Sequence, residues 1–231
     1  KFARDGAFLF SRAGWSGSQR YPSQWGGDPQ ADWGGLAGNL RSGLSWGLSG
    51  APFYATDVGG FYGDQRDPVL YVRWLQAAIF SAHLRLHGIG PREPWSYGAD
   101  AERHANAALA LRGQLLPYLR EAVRQSAETS LPVQRPMVLA CPDDRASWAF
   151  EDQFMFGDDI LVAPCLNPEG SVVLYLPSGG WRWLDSHEPI EGGRVHRLDL
   201  PLARIAAFVR AGRPDPVAAA VARTLQGSGP K

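Results

Sequence analysis

The residues best suited to chemistry crowd into one stretch, Ser11 to Asp28 (SRAGWSGSQRYPSQWGGD). A carboxylic acid at Asp28 follows two glycines, the indole of Trp25 and the arginines Arg12 and Arg20. Paired glycines let a backbone approach a ligand or take positive φ, and an indole offers an apolar face on which a sugar ring can stack. A bare Gly-Gly-Asp is a common turn; the surrounding residues make this one a candidate ligand site. A second carboxylate, Asp57, also precedes a glycine pair and an aromatic, in Ala55-Thr-Asp-Val-Gly-Gly-Phe61. On its own that segment reads equally well as a capped loop. A third cluster, Arg85-Leu-His87-Gly88, ends an apolar helical pattern. There an isolated histidine is better explained by the helix macrodipole than by a ligand.

The elements that must position these groups follow from periodicity. Short apolar runs alternate with helical patterns up to about residue 165, which is the signature of an α/β layer with parallel strands. Strands are expected at Ala7 to Phe10, Ala51 to Thr56, Met137 to Cys141 and Ile160 to Ala163. Trp33, Leu36, Ala37, Leu40 and Leu44 fall at helical spacing. Asp67-Pro68 supplies an N-cap and a first-turn proline for the next helix, and a long one begins at Asp100, with Pro117 expected to bend it. In a (β/α)8 barrel the residues just beyond the C-terminal ends of strands line the active site, and both aspartates stand there. Roughly four or five parallel strands are countable where a closed barrel needs eight. The first strand should therefore lie at the edge of an open arc.

Beyond residue 165 the helical period stops. SVVLYLP, GWRWLD, RVHRLDL and IAAFVRAG read as short strands between Gly, Pro and Asp turns. The expected division is a partial barrel over residues 1–165 and a small all-β domain over 166–231, linked near Leu166 to Gly170, with a poorly ordered tail from Arg213.

Composition narrows the partners. The 231 residues are 45% hydrophobic, enough for a sizeable core, and Lys plus Arg equals Asp plus Glu at 23 each. Without a basic face the chain lacks the footprint of a nucleic-acid or membrane-surface binder, so a neutral small molecule fits better. No eighteen-residue apolar stretch suggests a membrane span, and the first residues do not read as a signal peptide, which leads to a cytoplasmic expectation. Cys141 and Cys165 sit at apolar runs without metal-ligand spacing and read as buried free thiols. The histidines show no zinc spacing either. The aspartate pairs at 143–144 and 158–159 are expected to serve turns and not catalysis.

Taken in order, the three clusters resemble glycoside hydrolase family 31. The resemblance continues in Pro94-Trp95, LRGQLLPYLREA, RPM followed by Pro142-Asp-Asp144, QFMFGDDILVAP and VVLYLPSGGW, and spans essentially the whole chain. The WGGD, SRLHG-like and PW-like segments are most similar to the α-xylosidase branch, with α-glucosidases next.

That resemblance implies a retaining α-glycosidase acting on an oligosaccharide or small glycoside, without metal or organic cofactor. It implies the C-terminal half of a (β/α)8 barrel followed by a small antiparallel β-sandwich. Asp28 matches the family's general acid/base. Arg12, Trp25, Asp57, Phe61 and His87 match residues around the subsite that holds the cleaved sugar. The family's nucleophile, in an Asp-x-x-Glu-like segment on an earlier barrel strand, has no match here, so residues 1–231 alone are expected to be inactive. Retaining enzymes hold their two carboxyl groups about 5 to 5.5 Å apart. To donate a proton, Asp28 should have its pKa raised by partial burial near Trp25 and by the nucleophile's charge. Arg12 would oppose that rise and is therefore expected to contact hydroxyls instead of pairing with Asp28. The resemblance leaves homo-oligomerisation of the full-length protein open. A sugar-binding or structural piece without activity is the alternative, and Asp57 at nucleophile distance from Asp28 would make the chain self-sufficient.

Overall fold

The computed structural model describes residues 9–21, 23–63, 66–213 and 215. Its first part is built on a parallel sheet of three short strands, β1 (Phe10–Ser11), β2 (Ser23–Trp25) and β3 (Phe53–Ala55), in that order. Phe10 pairs with Ser23, and Ser23 in turn with Phe53. An isolated parallel bridge between Asp57 and Arg85 continues the ladder one position further. The expected strand at Ala7 to Phe10 falls partly outside the described residues, and the segment 51–56 pairs over Phe53–Ala55.

Helices follow the sequence signals closely. Helix α1 (Trp33–Leu48) is capped by Asp32, whose side chain accepts from the Gly35 amide at 2.6 Å. Helix α2 (Pro68–Ala78) starts at Asp67, which accepts from the amides of Val69 and Leu70, and carries proline in its first turn. Helix α3 runs from Ala99 to Thr129 and continues through Pro117. The pattern that seemed to end at His87 stops at Ala78. Arg85 to His87 lie beyond the helix, with Arg85 bridged to Asp57, so the macrodipole account of His87 is corrected.

A second correction concerns the strands after residue 130. Met137–Ala140 is a short helix, α4, and the strand lies just before it at β4 (Gln134–Pro136). β5 (Phe154–Phe156), β6 (Ile160–Val162), β8 (Gly180–Trp183), β9 (Pro189–Glu191) and β11 (Ala207–Arg210) join β4 in one antiparallel sheet, ordered β4-β5-β6-β11-β8-β9. The run at 160–163 is therefore antiparallel, paired with 207–209, and not part of the parallel layer. Its sheet draws on both sides of the expected 165/166 division. β7 (Ser171–Leu176) and β10 (Arg194–Asp199) form a separate antiparallel pair.

The misreading has a physical cause. Phe154, Phe156, Ile160, Val162, Ala207 and Val209 face a core shared with α2 and α3, while Met155, Leu161 and Phe208 face a second core against β7. Strands buried on both faces lose the alternation that marks an antiparallel sheet and read as continuous apolar runs.

Helix α2 joins the two parts. Its nine residues from Leu70 to Ala78 are all buried. Arg73 donates to the carbonyls of Leu200 (2.7 Å) and Arg204 (2.9 Å), and Gln76 to that of Leu202 (2.6 Å). On its other side Trp74 donates to Thr56 Oγ1 at 3.0 Å and Tyr71 to the carbonyl of Arg92 at 2.8 Å. Among the described residues no helix is long and apolar enough to cross a membrane.

Candidate functional site

Three loops meet beyond the C-terminal ends of β2 and β3. The Phe61 amide donates to the Pro29 carbonyl at 2.7 Å, the Ala31 amide to the Tyr62 carbonyl at 2.7 Å, and the Ile89 amide to the Phe61 carbonyl at 3.0 Å. Residues 28–31, 57–62 and 85–89 are thus bound to one another through their backbones. Gly60 makes this fit. Its φ is +82°, and a Cβ there would stand 2.4 Å from the Ala31 Cα, so neither the conformation nor the space admits a side chain. Buried Arg92 secures the same turn by donating to the Gly60 carbonyl at 2.7 Å.

Asp28 stands on this cradle with its side chain 16% exposed. Arg12 Nη1 lies 3.2 Å from Asp28 Oδ2, and Tyr62 donates its hydroxyl to the same oxygen at 3.4 Å. The expectation that Arg12 would avoid Asp28 is therefore corrected. Gly27 explains the approach: at φ +78° it has no side chain, and a Cβ would sit 2.9 Å from Arg12 Nε. Both partners act on Oδ2.

Asp57 is fully buried. Arg85 Nε donates to its Oδ1, while Oδ2 has no hydrogen-bond partner. Burial pushes the Asp57 carboxyl above its ordinary range, with Arg85 and His87 opposing that rise and Asp28 adding to it. Trp25 is half-buried, and its Nε1 likewise lacks a partner. The guanidinium of Arg85 lies 5.1 Å from the Trp25 ring centre. Phe61 bridges the two sides, edge-on to Tyr62 at 5.1 Å and 5.5 Å from the His87 ring.

Contacts thus connect the sequence-derived residues in two sets: Arg12 and Asp28 through Tyr62 to Phe61 and His87, and Asp57 through Arg85 to Trp25. Tyr62, Arg85 and Arg92 were missed as participants. Arg85 carried a signal, since it stands in the same short cluster as His87. Arg92 carried none, because its partners are carbonyl groups. Elsewhere, Asp144 accepts from the Tyr175 hydroxyl at 3.1 Å and Asp158 pairs with Arg135, so both serve local structure. Cys165 is buried, Cys141 half-buried, and both are free. Among the described residues no cluster of three or more metal-ligating side chains occurs.

Residues 1–122 match the family 31 glycosyl hydrolase TIM-barrel domain and residues 130–213 the C-terminal domain of the same family. The chain belongs to glycosyl hydrolase family 31. Its relatives in that family include an α-xylosidase of Emericella nidulans, 35% identical over 223 residues, which covers 93% of this chain and 28% of the relative. An α-glucosidase of Bacillus thermoamyloliquefaciens is 36% identical over 209 residues, covering 89% and 26%. The chain thus spans about a quarter of the length of these curated family 31 relatives. Among solved structures, a family 31 α-xylosidase from a soil metagenome complexed with xylose superposes with a TM-score of 0.85 at 35% identity, over 91% of this chain and 35% of that one. A family 31 dextranase of Flavobacterium johnsoniae complexed with glucose gives 0.86 at 32%, over 92% and 28%.

Proposed function

We propose that this chain supplies the acid/base side and much of the sugar pocket of a retaining α-glycosidase acting on non-reducing terminal α-linked sugars. Asp28 is the proton donor, and Arg12, Trp25, Asp57, Phe61 and His87 surround the sugar. The carrying observation is the placement of Asp28, beyond the C-terminal end of β2, with Arg12 and Tyr62 both on Oδ2. That grip holds the carboxyl in place to pass a proton to the leaving oxygen. The three parallel strands and the Asp57–Arg85 bridge belong to a (β/α)8 barrel, and the antiparallel sheets to a small sandwich behind it. The nucleophile comes from a strand outside these 231 residues, so residues 1–231 alone should not hydrolyse a glycoside.

The motifs favour a terminal α-xylosyl over an α-glucosyl group, in keeping with the metagenomic α-xylosidase that holds xylose. Discrimination of a hydroxymethyl by shape is worth only about 1 to 3 kcal/mol, so the comparison needs matched aryl α-xylosides and α-glucosides. A clear glucoside preference overturns the assignment.

The acid/base role is tested in the intact protein with Asp28→Ala. Substrates whose leaving group needs a proton should lose roughly 10²- to 10⁴-fold, while an acidic phenol should still depart and form the glycosyl-enzyme. Azide should then restore turnover and give the α-glycosyl azide. Equal loss on both leaving groups without azide rescue removes Asp28 from this role.

A further inference from the structure

Arg85 is the cation on which the pocket's two halves of recognition converge. Its backbone continues the parallel ladder: it bridges Asp57, and the Val58 amide donates to its carbonyl at 3.2 Å. Its side chain, 27% exposed, donates from Nε to Asp57 Oδ1. The same guanidinium lies 5.1 Å from the Trp25 ring centre and 5.4 Å from that of Phe10, and those two rings are 5.2 Å apart. A planar delocalised cation can stack on rings and donate from its edge at once, and an ammonium cannot do both.

We propose that Arg85 is a positioning residue of the sugar pocket, fixing the Asp57 carboxylate and the Trp25 indole relative to each other. It leaves Asp57 Oδ2 and Trp25 Nε1, both buried and without hydrogen-bond partners, for the ligand. The proposal rests on the reading of Asp57 and Trp25 as sugar contacts. Phe10 backs the guanidinium and gives β1 a part in the pocket beyond its main-chain pairing. The charged and titratable groups acting on Asp57 are Arg85 and His87 from the segment after α2 and Asp28 from the loop after β2. Tyr54 of β3 is the remaining neighbour, its hydroxyl pushed up by burial and by Asp57.

Charge and plane can be separated by substitution in the intact protein, assayed on an aryl α-xyloside. Arg85→Lys keeps the cation and loses the stacked plane, so KM should rise about 3- to 30-fold with kcat changing less. Arg85→Ala also removes the charge that opposes the upward push of burial on Asp57, and the acid limb of the kcat/KM profile should move to higher pH. The lysine variant should restore the limb without restoring KM, and Asp57→Asn should abolish the shift. A merely structural arginine would lower the unfolding midpoint and leave both KM and the limb in place, and that result overturns the proposal. Should the alanine variant fail to fold, the lysine variant decides alone, an unchanged KM counting against Arg85. Parental kinetics in Asp57→Asn would instead bring down the sugar-contact reading on which Arg85 depends.

Discussion

Arg85 in the cleft and Arg73 and Arg112 behind it are all cations drawn into the protein, yet their partners differ in kind. Arg112 donates to three main-chain carbonyls just past α2, those of Ile79 (2.7 Å), Ser81 (2.6 Å) and Ala82 (3.1 Å). Burial alone pushes it down to about 10. Arg73 reaches the carbonyls of the 200–204 loop in the same way. Carbonyls at a helix end need donors, and an arginine fork supplies several at fixed geometry. Arg112 closes the structure around itself, while Arg73 commits both terminal nitrogens to that loop and to Gln76 and keeps only Nε unpaired. Arg85 takes one carboxylate oxygen and leaves the other open. Buried polar groups left open reduce stability and create a place for a ligand, so the cleft and the seam should respond oppositely to truncation.

The largest effect is expected at the seam. Arg112→Leu removes three charge-assisted bonds and strands their acceptors, and should lower unfolding free energy by about 3 kcal/mol or more in urea titration. A loss within about 0.5 kcal/mol, the range of an ordinary surface change, would break the contrast. Gly60→Ala comes next. It should lose about 1 to 3 kcal/mol through backbone strain, and more from the overlap with Ala31. Because the overlap forces residues 28–31 and 57–62 apart, activity of the intact protein should fall further than stability does.

Asp57→Asn is the smallest effect, with the opposite sign. The amide can still accept from Arg85 and removes a charge held in a buried site, so stability at pH 7 should rise by about 0.5 to 2 kcal/mol while activity falls. The pH dependence sharpens this. Burial holds the Asp57 pKa above its ordinary value, so the folded parent binds its proton more readily than the unfolded chain. Parental stability from this group is complete below the unfolded value of 3.8 and is lost as pH rises through the raised folded pKa. The asparagine does not titrate. Its advantage is therefore widest at neutral pH and narrows on acidification. A gap that widens instead would mean that pairing with Arg85 outweighs burial.

Much of this organisation was legible in the sequence because local chemistry announces it. Asp67-Pro68 marks the start of α2 and Trp33 opens the spacing of α1, whereas β2 (Ser23–Trp25), the strand that carries the Trp25-Gly-Gly-Asp28 loop, was missed among polar residues. Pairing partners were not legible where both faces are buried: Phe154–Phe156 and Ile160–Val162 carry no alternation from which direction could be read. The three-residue β9 (Pro189–Glu191) was missed for its brevity and mixed polarity. Nor could the Arg12–Asp28 pair be read from composition. It depends on the φ of Gly27, which sequence permits but does not dictate.

Helix α2 carries a consequence for how such a protein can be rearranged over evolutionary time. Its side chains are divided between the 200–204 loop on one side and Thr56 and Arg92 beneath the cleft on the other. A recombination event that moved the barrel segment without the antiparallel sheet would strip Arg73 and Gln76 of their acceptors and uncover the side of the helix that faces the sheet. The segments matched over 1–122 and 130–213 are separable as text but share one helix as matter. Crossovers tolerated by this architecture should fall outside the pair, so that barrel segment and sheet are inherited as a single cassette.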